Sequence, residues 1–299
     1  MRFGRNSGFS RLSPLKPGED IDAPGDQANA SRGSNRLPPR KSSLSGAFRE
    51  LLAFGYLQAL SCLFPVLIFA TIAFTKVVDI PVIPEYDFVL LVCVLVQVLM
   101  VRSGLETKDE LKVICVFHLI GLCLEIFKVH MGSWAYPQEA WIKVLGVPLY
   151  SGFMYASVAS YLCQAWRRLK VRLVRWPRAA YTAPLGLAIY LNFMTHHYFY
   201  DLRWVLTGLL CVVFIRTFVE YTPLDTVRRM PLLLSFLLIG FFIWLAENIA
   251  TFLGAWQYPD QRLGWSMVHL GKVSSWFLLV IVSFMIVAQL KHVKAGQHG

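Results

Sequence analysis

Residues 125–137 read EIFKVHMGSWAYP, and residues 247–259 read ENIATFLGAWQYP. The two segments share one pattern, in which a glutamate is followed seven positions later by Gly-x-Trp-x-Tyr-Pro. The five identities keep the same spacing at places 122 positions apart, which indicates an internal duplication. We refer to the segments as the first motif and the second motif.

The composition around the motifs is that of a polytopic membrane protein. Of the 299 residues 56% are hydrophobic and only 16% are charged, whereas about 25% are charged in an ordinary soluble domain, and the mean hydropathy is +0.51. The net charge is +11, but the basic residues lie mostly near the N-terminus and between apolar runs, where membrane topology places them. We therefore expect no nucleic-acid partner. The six cysteines have no CxxC spacing, so we interpret them as packing residues.

Apolar runs separated by polar loops predict an all-α, polytopic membrane bundle with about eight spans, because one span needs about 20 apolar residues. The runs cover approximately residues 51–74, 88–100, 111–129, 144–166, 180–198, 202–219, 231–253 and 267–290. Before them, residues 1–45 are rich in Ser, Gly, Pro, Asn and Arg, which predicts a disordered basic tail.

The loop charges predict the orientation of the bundle. Residues 167–178 contain six basic side chains and no acid. Since Lys and Arg in short loops favour the cytoplasmic side, we expect both termini to be cytoplasmic and both motifs to lie at the outer face of a bacterial inner membrane. The multi-pass protein would then have the lipid bilayer itself as a partner.

The duplication extends beyond the motifs and predicts the domain organisation. Tyr86-Asp87 and Tyr200-Asp201 each precede one span, a basic loop and then the span that bears the motif glutamate. The predicted units are a tail, a first four-span repeat, a basic cytoplasmic linker, and a second four-span repeat with a short cytoplasmic tail, at residues 1–45, 46–166, 167–178 and 179–299. Four spans per repeat make the repeats parallel, and such proteins often bind substrate at the repeat interface.

The Gly-x-Trp-x-Tyr-Pro part of each motif is typical of an anchored helix end. Gly132 and Gly254 suit the left-handed residue that commonly ends a helix, and the proline five positions later prevents the helix from resuming. The aromatic residues would then lie at the level of the lipid headgroups, where aromatic belts occur. These four residues, which are also candidate substrate-binding residues, are Trp134, Tyr136, Trp256 and Tyr258.

The two motif glutamates are the candidate catalytic residues. Glu125 and Glu247 lie about 10 Å inside the predicted helix ends, at 1.5 Å of rise per residue. A carboxylate near the centre of a membrane span costs roughly 2.5–3.5 kcal/mol, so two at the same depth indicate a function. The alternative is a structural role, either as a protonated, hydrogen-bonded glutamate or in a buried ion pair. The partner in such a pair would be Lys128 for Glu125, and Lys272 or Arg203 for Glu247.

Further polar residues collect at the same predicted face, and we expect some of them to bind substrate. They are His196, His197, Asp201, Asn248 and Lys272. Adjacent histidines on a helix point about 100° apart, and no typical ligand spacing supports them, so we predict no metal site. The sequence leaves the cofactors open.

Residues 125–137, GVPLYSGFMYASVASY at 146–161, NFMTHH at 192–197 and ENIATF at 247–252 resemble the YoaT-like bacterial integral membrane family, domain of unknown function 817. The resemblance covers residues from about 50 to 291. It implies a polytopic membrane protein and no particular reaction.

The order Glu, Gly-x-Trp-x-Tyr and then Gly-x-Pro is also similar in style to membrane carotenoid cyclases and hydratases. That similarity implies that Glu125 or Glu247 protonates a polyene, while aromatic ring faces stabilise the cation. The paired acids of the cyclase motif P-x-E-E are missing, because Leu-Tyr-Ser follows Pro148.

Three hypotheses for the function follow. The first is an intramembrane enzyme that acts on an isoprenoid or other lipid by acid catalysis. The second is a small-molecule or proton-coupled transporter, and the third is a non-enzymatic membrane assembly protein. The sequence does not decide among them, and it does not predict the oligomeric state.

Overall fold

Apolar helices that run back and forth between two ends of the molecule make up most of the structure. The computed structural model describes residues 44–196 and 198–297, with side chains over 45–196 and 198–288. The helices are α1 Leu44–Ser61, α2 Leu63–Val77, α3 Glu85–Arg102, α4 Lys108–His130, α5 Tyr150–Arg168, α6 Ala179–Thr195, α7 Arg203–Phe214, α8 Leu232–Phe252 and α9 Lys272–Gln297. The predicted tail, residues 1–45, lies outside the described residues except for its last two positions.

Helices α4 and α8 are each long and apolar enough to cross a membrane. Helices α1 and α2 form a pair that bends by 62° at its break, and this pair would be a third crossing segment if it acts as one span. By length and composition, the described part of the chain therefore supports two or three membrane spans. Both motif glutamates lie in helices of this kind, α4 and α8.

The predicted fourth run, residues 144–166, is wrong at its start. Strands β1 (Lys143–Val144) and β2 (Val147–Pro148) form an antiparallel hairpin there, and α5 begins only at Tyr150. The two residues between the strands, Leu145 and Gly146, have φ of 51° and 83°, and positive φ at both central positions is the backbone of a tight hairpin turn. An apolar leucine gave no sign of this turn in the sequence.

A second antiparallel sheet occupies part of the predicted linker and the end of the predicted sixth run. Its strands are β3 Arg172–Val174, β4 Phe218–Tyr221 and β5 Arg228–Pro231, in the order β3-β4-β5. The prediction of a helix up to residue 219 is wrong because the chain leaves α7 at Phe214 and enters β4. The fold is thus mostly helical with two small sheets, rather than purely all-α.

The connectivity defines two ends of the molecule. Helices α4 and α8 run toward the motifs, and α5 and α9 begin next to them, so we refer to this side as the motif end. The opposite side, where β3-β4-β5 lies, is the sheet end. Helices α4 and α5 pack together, as do α8 and α9. At Gly240 of α8 an added Cβ would lie 3.0 Å from the Phe277 backbone nitrogen, so glycine permits the close approach of α9.

Both motif glycines end their helices as predicted. Gly132 has a φ of 69° and Gly254 a φ of 72°, which is the left-handed region. The next backbone N–H in each motif donates to the carbonyl five residues earlier, at 2.9 Å for both Ser133 to Lys128 and Ala255 to Ala250. These bonds satisfy carbonyls that a helix end would otherwise leave unpaired.

Candidate functional site

The two motifs contact each other at the middle of the motif end. The Ala135 N–H donates to the Gln257 carbonyl and the Gln257 N–H donates to the Ala135 carbonyl, both at 2.9 Å. These residues hold the same position in the two motifs, between Trp and Tyr, so the bonds are reciprocal about a local two-fold axis. The Tyr150 hydroxyl of α5 also donates to the Ala255 carbonyl. The segments after α4 and α8 are therefore held side by side, and they bring the two glutamates to one layer.

Glu125 is enclosed by three hydrogen-bond donors, all of them aromatic side chains. Its Oε2 accepts from Trp134 Nε1 and from the Tyr136 hydroxyl, both at 2.7 Å, and its Oε1 accepts from the Tyr155 hydroxyl at 2.8 Å. The glutamate is 6% exposed. Two donors come from its own motif and the third from α5, so the motif folds back onto the helix that precedes it.

Glu247 has a matching environment. Its Oε1 accepts from the Tyr258 hydroxyl, and its Oε2 accepts from Trp276 Nε1 of α9 at 2.7 Å. Trp256, the counterpart of Trp134, lines the same cavity as Glu247 and Tyr258. Glu247 is 3% exposed. Each carboxyl is thus held by the tyrosine of its own motif and by an aromatic residue of the next helix.

The tyrosines remain neutral at ordinary pH. Burial, reinforced by the neighbouring Glu125, raises the pKa of the Tyr136 phenol well above its usual range, and burial beside Glu247 does the same to the pKa of Tyr258. Both hydroxyls therefore keep their protons. A hydroxyl can donate to a carboxylate or accept from a carboxylic acid, so the enclosure suits both protonation states of the glutamates.

Neither glutamate makes an ion pair with a basic side chain among the residues that the structure describes. The predicted ion pairs, of Glu125 with Lys128 and of Glu247 with Lys272 or Arg203, are therefore wrong. Lys272 does act electrostatically on Glu247 from a greater distance. Its Nζ lies over the rings of Tyr258 and Trp134, 4.5 Å and 5.7 Å from their centroids.

Both glutamates line one apolar cavity of about 660 Å³, which we term the first cavity. Its lining at the motif end includes all four predicted aromatic residues, Trp134, Tyr136, Trp256 and Tyr258, together with Tyr155 and Trp276. The cavity continues to Leu232, Met230 and Tyr221 at the sheet end. Leu232 and Glu247 of α8 are 15 positions apart, which corresponds to about 22 Å along the helix axis, so the cavity is long as well as apolar.

The first cavity is accessible from the side. Helices α1 and α2 pack against α5, whereas no close packing joins them to α8 within the described ranges. Leu238 and Phe242 of α8 line the cavity and are 42% and 64% exposed. At the sheet end, an ion pair and hydrogen bond between Arg228 and Glu50, with Nε to Oε2 at 2.6 Å, connect α1 to β5. An apolar slit therefore remains between α1–α2 and α8.

The other predicted site residues that the structure describes, which are His196, Asp201, Asn248 and Lys272, do not line the first cavity. Asn248 braces α8, since its Oδ1 accepts from the Val268 N–H at 2.9 Å and its Nδ2 donates to the Trp244 carbonyl at 2.8 Å. Asp201 forms an ion pair with Arg203 at 2.9 Å. His196 ends α6, where its Nδ1 lies 3.2 Å from the Asn192 carbonyl, and His197 is outside the described residues.

Tyr155 and Trp276 are the site residues that sequence reasoning missed. They lie 30 and 29 residues after their glutamates, so Tyr155 is the sixth residue of α5 and Trp276 is the fifth residue of α9. The same one-residue offset relates Val147 to Val268, and applying it further would have aligned the pair. Across residues 45–196 and 198–288, where side chains are described, there is no group of three or more His, Cys, Asp or Glu side chains that could hold a metal ion.

Comparison with known proteins gives three matches. A family model described as "Protein of unknown function (DUF817)" matches residues 50–284, a range that includes both motifs. Uncharacterized protein YoaT of Bacillus subtilis (strain 168) is 66% identical over 248 residues, which is 83% of this chain and 94% of that protein. A solved structure of a cross-linked MvINS trimer aligns with 62% of this chain and 95% of that chain, at 13% identity and a TM-score of 0.45.

Proposed function

The chain belongs to the DUF817 family, as the sequence resemblance predicted, and we propose that it is an integral membrane enzyme acting on an isoprenoid or other long-chain lipid by acid catalysis. The observation that carries the proposal is the position of two buried carboxyl groups, each held by neutral donors, in the wall of one long apolar cavity. A ligand that fits there needs an extended apolar chain.

We propose further that the chain crosses a bacterial inner membrane about eight times as two parallel four-span repeats with both termini cytoplasmic. The reciprocal bonds between Ala135 and Gln257 support this arrangement, because they relate equivalent residues by a two-fold axis. The matching environments of Glu125 and Glu247 support it as well. In this topology α1 and α2 together form the first span.

In the proposed reaction a protonated motif glutamate transfers its proton to a carbon–carbon double bond of the bound chain. A C–H bond forms, and the positive charge that develops on the neighbouring carbon lies among the ring faces of Trp134, Trp256 and the motif tyrosines. Loss of a proton from an adjacent carbon returns that proton to the carboxylate. Tyr155 and Trp276 position the carboxyl groups, and no other reactant is required.

The test compares Glu125→Gln and Glu247→Gln with the native chain in a deletion strain. Glutamine keeps the size of the side chain and one acceptor oxygen but has no acidic proton to give. We expect both variants to accumulate in the membrane while one isoprenoid or lipid species returns only with the native chain, as seen by untargeted lipid and pigment profiling. Glu139→Gln, an exposed glutamate at the same end, is the matched control.

An unaltered lipid profile in the deletion strain would contradict the enzymatic proposal. If both glutamine variants also behaved like the native chain in every assay, the non-enzymatic assembly role would be favoured instead.

A transporter is the second candidate, and it rests on the extent of the first cavity. The cavity reaches from the glutamate layer to the sheet end, so a ligand or proton could move along it. Proton-coupled uptake into vesicles that carry the purified protein, lost in Glu125→Gln and Glu247→Gln, would support this function over lipid chemistry.

A further inference from the structure

The half of the first cavity nearer the sheet end has polar side chains that the proposed reaction does not use. Four residues with neutral hydrogen-bonding groups line it, and they come from four different elements. They are Gln58 of α1, Tyr161 of α5, Tyr221 of β4 and Ser235 of α8, which we term the polar lining group. The long apolar cavity is therefore polar at two levels, in the layer of glutamates and in this group.

The polar lining group lies well away from the glutamates along the cavity. Tyr161 is six positions beyond Tyr155 on α5, about 9 Å along the helix axis, and Ser235 is twelve positions before Glu247 on α8, about 18 Å. Gln58 lies beside Tyr161, because the Tyr161 hydroxyl donates to Gln58 Oε1 at 3.0 Å. An extended ligand in the cavity thus reaches the polar lining group and the glutamate layer at the same time.

Several atoms of the polar lining group have no hydrogen-bond partner among the residues that the structure describes. Ser235 Oγ is buried without one. The Gln58 amide accepts from Tyr161 through Oε1, but its Nε2 donates to no described group, and the Tyr221 hydroxyl is also without a partner. Polar groups in an apolar cavity are unfavourable while they lack hydrogen bonds. These atoms therefore favour a ligand that brings a hydrogen-bonding group to this level.

The first cavity has no positive charge in its described lining. The lining contains no lysine, arginine or histidine among the described residues, and its only acids there are Glu125 and Glu247. Arg228 lies opposite Tyr221 on the neighbouring strand, but it is paired with Glu50. An ionised head group without an opposite charge is strongly disfavoured in an apolar cavity. Amide, phenol and hydroxyl side chains instead suit a neutral hydroxyl or carbonyl group.

A second apolar cavity, of about 900 Å³, lies between α4, α6 and α9 and provides a comparison. Tyr155 and Trp276 line both cavities and are 121 positions apart, from 155 to 276. The same spacing relates Tyr161 to Val282, which lines the second cavity. The counterpart of Tyr161 is thus apolar, so its hydroxyl is not a general feature of the repeat.

We propose that the substrate of the first cavity is a neutral long-chain lipid, whose hydroxyl or carbonyl group binds the polar lining group while its apolar chain extends to the glutamates. This inference rests on the proposed function, since it names the class of substrate for the same cavity. It excludes prenyl diphosphates and ionised fatty acids as substrates. The polar lining group determines specificity and takes no part in proton transfer, because it lies far from both carboxyl groups.

The location of the polar lining group fits a lipid that enters from the side. Gln58 on α1 and Ser235 on α8 belong to the two sides of the slit between α1–α2 and α8. In the proposed topology the sheet end faces the cytoplasm, so a lipid of the inner leaflet already has its polar group at that end. Its chain then points toward the glutamate layer as it passes through the slit.

The experiment measures binding of three polyenes with one isoprenoid skeleton to the full chain in a nonionic detergent. Retinol carries a hydroxyl, axerophthene is the hydrocarbon without it, and retinoic acid is ionised at pH 9. Energy transfer from the tryptophans to the polyene reports binding, and four of them line the cavity, namely Trp134, Trp166, Trp256 and Trp276. We expect retinol to bind at least tenfold more tightly than retinoic acid at pH 9.

The decisive variant is Gln58→Leu, which keeps the approximate size of the side chain and removes its hydrogen bonds. It should weaken retinol roughly tenfold and should not weaken axerophthene. Tyr221→Phe should also weaken retinol alone, and it leaves no described partner unpaired. If Gln58→Leu fails to fold, Tyr221→Phe and Ser235→Ala still give the result. Tyr56→Phe is the matched control on α1, because Tyr56 is 65% exposed and does not line the cavity.

The proposal is overturned if the variants weaken retinol and axerophthene alike, since the polar lining group would then only pack the helices. Retinoic acid that binds as tightly as retinol, or failure of all three polyenes to bind, would overturn it as well.

The same titrations are made with the native chain and with the double variant Glu125→Gln, Glu247→Gln. Binding requires no proton transfer, so the double variant should show the same preference for retinol. A lipid profile that is restored by the glutamine variants would refute the proposed reaction, whereas loss of the retinol preference in the native chain would refute the substrate class.

Discussion

Tyr155 and Trp276 hold equivalent places at the start of α5 and α9, and each donates a hydrogen bond to the glutamate of the preceding motif, at 2.8 Å and 2.7 Å. One is a phenol and the other an indole, yet both place an aromatic donor beside a buried carboxyl group in the wall of the first cavity. The surroundings of Glu125 and Glu247 therefore share their geometry as well as their motif residues.

Tyr155→Phe should destabilise the protein by about 1.5–3 kcal/mol, because it removes one donor from the buried carboxyl of Glu125. Thermal unfolding in detergent would measure the change. Tyr181→Phe is the matched control, since Tyr181 is 61% exposed and should lose almost nothing. Equal unfolding temperatures for the native chain and Tyr155→Phe would show that the bond contributes no stability.

Gly121→Ala should displace the Tyr155 ring and lower the unfolding temperature. An added Cβ at Gly121 would lie 2.5 Å from the Tyr155 side chain, and crowding of this kind costs about 1–3 kcal/mol. Gly208→Ala on α7 is the control, because a Cβ there would meet nothing within 4 Å and alanine favours helix. The idea fails if Gly121→Ala is as stable as Gly208→Ala.

A disulfide between the motifs should form in the double variant Ala135→Cys with Gln257→Cys, after the six native cysteines are replaced. Residues that exchange both backbone bonds have Cα atoms about 5.5 Å apart, within the range for a disulfide. A mobility shift after oxidation and its reversal by a reductant would detect the bridge. Neither single variant should give the intramolecular product, and its absence from the double variant would contradict the pairing of the motifs.

Glu106, in the loop between α3 and α4, should make the stability depend on pH. Burial raises the pKa of Glu106, and hydrogen bonds from Ser160 and Gln97 offset the rise only in part. The folded protein therefore favours the protonated acid. That contribution to stability is complete below the ordinary value of 4.5 and is lost as the pH rises through the raised pKa.

The measurement is the unfolding temperature of the native chain and of Glu106→Gln between pH 4 and pH 9. The variant carries no charge at this position, so its stability relative to the native chain should rise with pH and then level off. Glu139→Gln, at an exposed position, should follow the native curve throughout. A constant difference between Glu106→Gln and the native chain would exclude titration of Glu106.

The orientation can be tested with reporters fused within residues 137–143 and within residues 168–176. We expect the first to be active as an external reporter and the second as a cytoplasmic one, because the second segment contains a cluster of basic residues. An external location for residues 168–176 would reverse the orientation.

The parts of the fold that follow from local chemistry were predictable from the sequence. Gly132 and Gly254 end their helices as predicted, because a left-handed glycine followed by proline is a local signal. The hairpin at Leu145 was not predictable in the same way. Leucine rarely adopts a positive φ, so a leucine at this position does not indicate a turn.

The contacts of the site depend on distant parts of the chain, and the sequence predicted them only in part. Glu125 and Glu247 stood out because acids are rare in apolar runs, and the aromatic residues of the motifs stood out because they repeat. In the sequence, Tyr155 looked like an ordinary residue of an apolar helix. Its hydrogen bond to Glu125 forms only because the hairpin turns the chain back, so that α5 packs beside α4 and residues 30 positions apart meet. The strand pairing of residues 172–174 with 218–220 is of the same long-range kind.

The reciprocal bonds between Ala135 and Gln257 have the form of a symmetric interface within one chain. A contact in which a residue meets its own counterpart is the contact that two identical subunits make across a symmetric dimer interface. Here both sides of the contact belong to one polypeptide, so a substitution on one side need not appear on the other. The two motifs do differ away from the contact, since Lys128 of the first corresponds to Ala250 of the second.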